Sequence, residues 1–316
     1  MTFLGTASGT PTRTRNVAAL ALAFDSGAIW LMDCGEATQH QFMRAGLRAS
    51  RVERILITHL HGDHCYGLPG MLSCMAIQGR QHPVEVVGPL GIGELLETVL
   101  RLSSAILPFP LVITELTSGR TLDSGSTSDW GVEAIPIEHR LPCFGFVLRE
   151  PAQPGRFHPE RARALGVPEG RLFGTLQQGQ TVVLNDGRVI APAQVSDPPR
   201  PGRHVVVLGD TCDAAATTDA AQGCDLLVRE VTYDTSRRSK AAQWGHSTSE
   251  MSGRFAAEVA AKVLIITHFS ARYTDDSAAS GNASVQHLIE ETAHFCPGTT
   301  VLAAEDLWSY AVPARE

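Results

Sequence analysis

Short apolar runs punctuate the chain at intervals: AALALAF (18–24), AIWLMD (28–33), ILIT (55–58), VEVVG (84–88), HVVVLG (204–209), LLVRE (226–230), VLIITH (263–268) and TVLAA (300–304). Most are near-continuous Val, Ile and Leu rather than alternating apolar and polar. That is the pattern of strands covered on both faces. Between them the period changes. In GIGELLETVLRLSS, residues Ile92, Leu95, Leu96, Val99 and Leu102 fall on one helical face. HSTSEMSGRFAAEVAAK opens with Ser247 and Glu250 at capping-box spacing, which predicts a helix with Ser247 as its N-cap. Strands interleaved with amphipathic helices predict a layered α/β architecture with sheet inside and helices outside.

One region breaks the pattern. Residues 150–202 carry eight of the 18 prolines. Within them HPERARALG reads as a short helix, with Pro159 near its start and Gly166 at its end. TVVLNDGRVIA reads as a hairpin turning at Asp186-Gly187. With little apolar mass to anchor it, this stretch is expected to be an inserted, projecting element of a single domain spanning 1–316.

Composition narrows the function classes. At 316 residues, 43% hydrophobic and 19% charged, the chain is of ordinary globular make-up. No stretch approaches the length of a membrane span, and the N-terminus lacks the pattern of a secretory signal, so a cytoplasmic protein is expected. Seven scattered cysteines, none in C-x-x-C, argue against a disulfide framework or a cysteine zinc site. The net charge of −7 argues against nucleic-acid binding unless local basic patches supply the contacts.

The chemistry concentrates in ILITHLHGDH (55–64), which packs three histidines and an aspartate into six positions. In an extended chain His59 and His61 project to one side. Gly62 lets the chain bend so that Asp63 and His64 face elsewhere. Imidazole and carboxylate suit zinc and neighbouring transition metals, and one loop cannot close two coordination spheres. Three other strands end on a ligand-type residue: VEAIPIEH on His139, HVVVLGD on Asp210 and VLIITH on His268. In α/β sheets the carboxyl ends of strands are where ligands bind. The set divides into His59, His61 and His139 for one ion and Asp63, His64 and His268 for a second, with Asp210 bridging. The remaining histidines, His246 apart, lack this context and read as surface residues.

These residues carry a resemblance. H-x-H-x-D-H after a strand is the signature of the metallo-β-lactamase superfamily. FLGTASGTPTRTRN, DCGEATQHQ, THLHGDHCYGLPG, GDT, GHST and THFSARY together resemble the ribonuclease Z family of tRNA 3′-processing endonucleases over nearly the whole chain. The resemblance implies a four-layer αββα sandwich binding two Zn²⁺ per chain. It implies that ALGVPEGRLFGTLQQG belongs to an arm, within 150–202, that grips precursor tRNA. Asp63 is implied as proton acceptor, and Glu230 and His246 match the glutamate of the family's H-E-A-T motif and the histidine of its H-S-T motif. Arg272 and Tyr273 are implied to contact RNA. Arg13, Arg15 and the arm's Arg171 are further candidates, with Arg156, Arg161 and Arg163 adding basic character to the arm. The family's habit of pairing subunits implies a homodimer, one subunit's arm holding RNA for the other's site. Two departures stand out: Arg229 replaces the first residue of H-E-A-T, and Gly170-Arg171 replaces the arm's Gly-Pro.

The expected reaction is hydrolysis of the phosphodiester between tRNA and its 3′ trailer, leaving a tRNA 3′-hydroxyl and a trailer 5′-phosphate. His246, oriented by Glu230, would protonate the leaving 3′ oxygen. A rival reading, a hydrolase of small phosphodiesters, thioesters or lactones on the same fold, would share every metal ligand. The arm and the Glu230–His246 pair favour RNA over it. A non-catalytic scaffold is disfavoured because all seven ligand positions are filled.

Overall fold

The computed structural model describes residues 1–122, 129–274 and 284–315. Its packing divides the chain into two compact units, one of Met1–Arg149 with His204–Val312 and a smaller one of Glu150–Arg203 with Pro313–Glu316.

The larger unit holds two sheets. The first runs, in spatial order, β1 (Thr2–Gly5), β2 (Ala19–Ala23), β3 (Ile29–Cys34), β4 (Val52–Leu56), β5 (Val84–Pro89) and β6 (Leu111–Leu116). The second comprises β7 (Arg120–Leu122), β8 (Gly131–Ile137), β9 (Cys143–Arg149), β12 (His204–Leu208), β13 (Leu226–Glu230), β14 (Val263–Thr267) and β15 (Thr300–Ala303), with spatial order β15-β14-β13-β12-β9-β8-β7. β3 to β6 are mutually parallel, as are β12 to β15.

Side-chain alternation turns these sheets into four layers. Trp30 and Met32 of β3, Leu56 of β4, Phe144, Phe146 and Leu148 of β9, and Leu226 and Val228 of β13 share one core between the sheets. The intervening residues point the other way. Ile29, Leu31 and Ile55 pack outward with Leu68, Met71 and Leu72 of the helix Leu68–Ile77 and with Ile92 and Leu96 of the helix Ile92–Leu102. Val206, Leu227 and Leu264 pack with Phe255 and Ala256 of the helix Ser249–Glu258 and Leu288 of the helix Val285–His294. Burial on both faces is why the strand sequences are apolar at consecutive positions. Each fully buried aliphatic side chain contributes about 1.5–3 kcal/mol. The architecture is the αββα sandwich.

Two local expectations need correcting. The helix after His246 starts at Ser249, and its N-cap is Thr248, whose hydroxyl accepts from Met251 N; Ser247 instead donates to Thr211 O at 2.5 Å. Glu250 pairs with Arg254 at 2.8 Å rather than closing a capping box. Gly62 supplies no unusual backbone bend; it opens a short helical turn, Gly62–Cys65.

The smaller unit contains the helices Pro159–Ala164 and Arg171–Gln177 and the hairpin of β10 (Val182–Val183) and β11 (Val189–Ile190). Its turn places Gly187 at φ 85°. Contrary to the expectation of little anchoring mass, it has its own core of Ala162, Val167, Leu176, Val182, Leu184, Ile190 and Val195. These residues are spread among prolines and arginines without a period, so only the fold brings them together. Among the described residues no helix is long and apolar enough to cross a membrane.

Candidate metal centre and active site

Four strand ends converge. His59 follows β4, His139 follows β8, Asp210 follows β12 and His268 follows β14. The sheet registers bring β12, β13 and β14 side by side, so Asp210, Glu230 and His268 are neighbours across the second sheet. The loop 57–64 crosses from the first sheet, tied by Phe144 N donating to Thr58 O at 3.0 Å.

The ligand-type atoms form groups that could hold metal ions. One is His59, His61, His139 and Asp210; a second is Asp63, His64 and His268; Asp210 also lies within reach of His246 and His268. His59 Nε2 is 2.9 Å from His61 Nδ1, which is 3.2 Å from His139 Nε2. His64 Nε2 is 3.1 Å from His268 Nε2, and His268 Nε2 is 3.3 Å from Asp63 Oδ2. Asp210 Oδ2 lies 3.7 Å from His59 Nε2 and 3.5 Å from His64 Nε2, between the two groups.

The outer hydrogen bonds decide what these contacts are. His64 Nδ1 donates to Asp33 Oδ2 at 2.7 Å, and His139 Nδ1 donates to Gly245 O at 2.7 Å. Thr58 Oγ1 gives its proton to Asp33 and so accepts from His59 Nδ1 at 3.0 Å. Thr232 Oγ1 directs its proton to Glu230 Oε2 and accepts from His268 Nδ1 at 3.1 Å. With the Nδ1 protons committed, the neutral rings turn their Nε2 lone pairs inward, His64 and His268 towards each other and His59 and His139 towards His61 Nδ1. Lone pairs at 3 Å repel unless a cation sits between them. Donors each about 2.0–2.1 Å from one tetrahedral ion lie roughly 3.3 Å apart. The nitrogen–oxygen donor set, its spacing and its fixed tautomers therefore fit ions of the zinc class.

The electrostatics divide the histidines. Burial and the crowd of neighbouring imidazoles hold His59 well below its ordinary pKa; burial also lowers His61 and His139. Burial alone would lower His64, but Asp210, Asp33 and Asp63 outweigh it and raise it well above the ordinary value. Burial works against ionisation of Asp210 and Asp63, yet the facing histidines hold both carboxyls well below the usual carboxylate range. Asp63 Oδ2 also accepts from Gly9 N at 2.8 Å. Backbone packing leaves no slack here: a Cβ on Gly35 would meet Asp63 O at 2.3 Å, and one on Gly67 would meet Gly35 O at 1.9 Å.

Beside the metal groups stands a second device. Glu230, buried at the end of β13, accepts from Thr211 N at 2.7 Å and faces His246 Nδ1 at 3.2 and 3.1 Å. Burial would lower the His246 imidazolium, but Glu230 and then Asp210 outweigh it and raise it to about 9. With Nδ1 held by Glu230, Nε2 is the nitrogen left for a substrate. His246 lines a cleft of about 390 Å³ together with His61, Asp63, Asp210 and His268.

The RNA-contact candidates divide. Arg13 is exposed, Arg272 is half-buried beside Ser270 Oγ at 3.1 Å, and Arg171 is exposed at the start of its helix in the smaller unit. Arg15 is only 5% exposed: Nη1 donates to Thr6 Oγ1 and Ala304 O, both at 2.7 Å, and the guanidinium lies over Phe269. Tyr273 is 4% exposed, and its hydroxyl donates to Asp234 Oδ2 at 2.7 Å. Both side chains are enclosed by the fold, which leaves little of either surface for RNA. Sequence reasoning missed Asp33, whose carboxylate serves both metal groups through Thr58 and His64. Its position at the end of the AIWLMD strand is the same signal that singled out Asp210.

Comparison with known proteins places the chain. It is 41% identical over 315 residues to "Ribonuclease Z" of Thermosynechococcus vestitus, covering 99% of this chain and 75% of that one. It is 39% identical over 314 residues to "Ribonuclease BN" of Cronobacter sakazakii, covering 99% of each. Human tRNase Z, short form, superposes with a TM-score of 0.69 at 28% identity over 99% of this chain and 98% of that one. A family profile described as "Anti-Pycsar protein Apyc1" matches residues 1–105, the stretch that carries His59–His64. Relatives this similar over the full length, on this fold and around this cluster, leave one conclusion: the chain belongs to the ribonuclease Z/BN family, endoribonucleases of the metallo-β-lactamase fold.

Proposed function

We propose that this enzyme cleaves the 3′ trailer from precursor tRNA by hydrolysis at two zinc ions, leaving a tRNA 3′-hydroxyl and a trailer 5′-phosphate. His59, His61 and His139 would hold one ion, Asp63, His64 and His268 the other, and Asp210 both. When bound, two such ions offset charge on the phosphodiester and acidify water. The chain's own residues supply the rest. Asp63 orients the attacking water through the oxygen not bonded to Gly9 and accepts its proton. His246 donates its Nε2 proton to the leaving 3′ oxygen, while Glu230 keeps the ring oriented and stabilises the imidazolium until that step. The observation that carries this reading is the Glu230–His246 pair opening into the same cleft as both metal groups. Metal ligands alone would serve many hydrolases.

Residues 150–202 would grip tRNA, through Arg171 among others, and Arg13 and Arg272 would contact RNA near the site. The arm's separate core supports an independent binding role. We also propose a homodimer acting in the cytoplasm. The exposed Ile77 and Leu102 at the ends of two helices, Ile106 in the loop that follows the second, and Val112 on an edge strand suit a subunit contact. Seven free cysteines suit a reducing compartment. The test is incubation of purified, zinc-loaded protein with a tRNA precursor carrying a 3′ trailer, with both product ends mapped. A single cut near the end of the acceptor stem with a 3′-hydroxyl is expected. An intact precursor beside hydrolysis of a small phosphodiester would refute the RNA assignment.

A further inference from the structure

We propose that Trp244 and Arg140 form a stacking platform for a nucleobase flanking the scissile phosphodiester; this rests on the nuclease reading above. Trp244 belongs to none of the four hydrophobic clusters, whereas Trp30 and Trp130 are buried in the inter-sheet core. Trp244 is 42% exposed, unusual for a residue normally well covered. It lines the cleft that holds His61, Asp63, His246 and His268.

Its surroundings are built. The Arg140 guanidinium lies 4.8 Å from the indole centroid. A guanidinium stacked by its face keeps its N–H groups directed outward along its edge, where a phosphate can take them. The two residues are locked together through their chain neighbours. Gly245 ends the helix Arg238–Trp244 at φ 72°, and its carbonyl accepts from His139 Nδ1 at 2.7 Å. A Cβ at Gly245 would meet His139 Nδ1 at 2.8 Å and Arg140 Cγ at 3.3 Å. The platform therefore sits one residue from His139 and two from His246, on backbone that cannot drift from either. Preordering of this kind lowers the entropy lost on binding.

A rigid indole backed by a guanidinium suits a flat, polarisable ring. Every base offers such a face, so stacking is tolerant of sequence, as a general processing enzyme needs. The arrangement points to the base of a nucleotide whose phosphate lies over the metal groups, with Arg140 near the next phosphate.

The test is a double-mutant cycle under single-turnover conditions. Wild type, Trp244→Ala and Trp244→Phe are compared on intact precursor and on precursors with an abasic residue on either side of the scissile bond. Stacking of one base predicts that Trp244→Ala slows cleavage of intact RNA at subsaturating enzyme by about 5–100-fold. Trp244→Phe should recover most of this. The abasic substitution at one of the two positions should slow the wild type similarly but leave Trp244→Ala unchanged. Multiplicative effects at both positions, or wild-type kinetics for Trp244→Ala, overturn the platform. Should Trp244→Ala lose its fold or its metals, Arg140→Gln carries the same cycle, and its effect must likewise shrink on one abasic substrate. A wild type that leaves precursor uncut refutes the nuclease reading instead, so the two failures are separable.

Discussion

Asp33 is buried and is the point at which both metal groups share one support. Its Oδ1 accepts from Thr58 N at 2.8 Å, both oxygens take the Thr58 hydroxyl, and Oδ2 takes His64 Nδ1 at 2.7 Å. Thr58 passes the constraint to His59 of the first group, while His64 belongs to the second. Asp33 adopts φ 55°, a region asparagine also tolerates, so Asp33→Asn isolates the electronic change from backbone strain. An amide has one acceptor where the carboxylate has two. Either Thr58 or His64 must then face an NH2 group, and one imidazole loses the bond that fixes its tautomer. Second-shell losses of this kind typically reduce metal affinity by about 10–100-fold, or about 1.4–2.7 kcal/mol. At least one ion should weaken: the one at His64 where the NH2 faces that ring, the one at His59 where it faces Thr58. Competition titration with a chromophoric chelator reads the two affinities directly, and thermal unfolding of the loaded protein should fall in parallel. If Asp33→Asn holds both ions as tightly as wild type while folded, the tautomer argument is wrong and the lone-pair contacts need another explanation.

Other outcomes follow from the same geometry. His246→Ala should keep both metals and cleave precursor about 10²–10⁴-fold more slowly; Glu230→Gln should act in the same direction, and the double variant should be no slower than the poorer single one, as pre-steady-state rates would show. Replacing residues 151–202 by a tight turn joins Arg149 to His204, already paired across β9 and β12, and should abolish tRNA processing while sparing hydrolysis of a small chromogenic phosphodiester. Asp306→Ala strands Thr6 Oγ1, Asn16 N and Gln41 Nε2, now bonded to it at 2.8, 2.6 and 2.8 Å, and should lower unfolding free energy by about 2–4 kcal/mol in denaturant titration. Exhaustive chelation should abolish RNA cleavage, and metal analysis should give about two transition ions per chain.

The strands and the metal-facing residues were readable because each signal is local. Apolar runs covered on both faces announce themselves, and a ligand directly after such a run marks the carboxyl end of a strand. What sequence hides is how a side chain is partnered across the fold. Arg15 and Tyr273 carry the right chemistry for RNA, but nothing in their neighbours reveals that Thr6, Ala304 and Asp234 enclose them. Thr58, Thr232 and Gly245 fix three tautomers through contacts visible only once loops meet. HSTSE offers three hydroxyls suited to capping, and the backbone, not composition, selects Thr248. The smaller unit's core escaped for a related reason: its apolar residues have no period to read.

The acidic net charge, which argued against RNA, changes meaning once it is located. Residues 150–203 hold seven arginines against five carboxylates, so that segment is +2 and the remainder of the chain is −9. Four of the 33 carboxylates, Asp33, Asp63, Asp210 and Glu230, are gathered around the facing histidines. Two divalent ions, if held as proposed, would add four positive charges and take the chain from −7 to −3. The arm's cations are themselves engaged, Arg161 with Asp197, Arg163 with Glu169, and Arg188 with Asp186. These exposed pairs are worth little each, so an RNA phosphate can exchange with the carboxylate at small cost. RNA would thus meet a modestly basic arm and a metal-neutralised site rather than a uniformly repulsive surface. Few net charges are displaced in that exchange, so affinity should fall only gently with salt compared with a protein that binds through a dense basic patch.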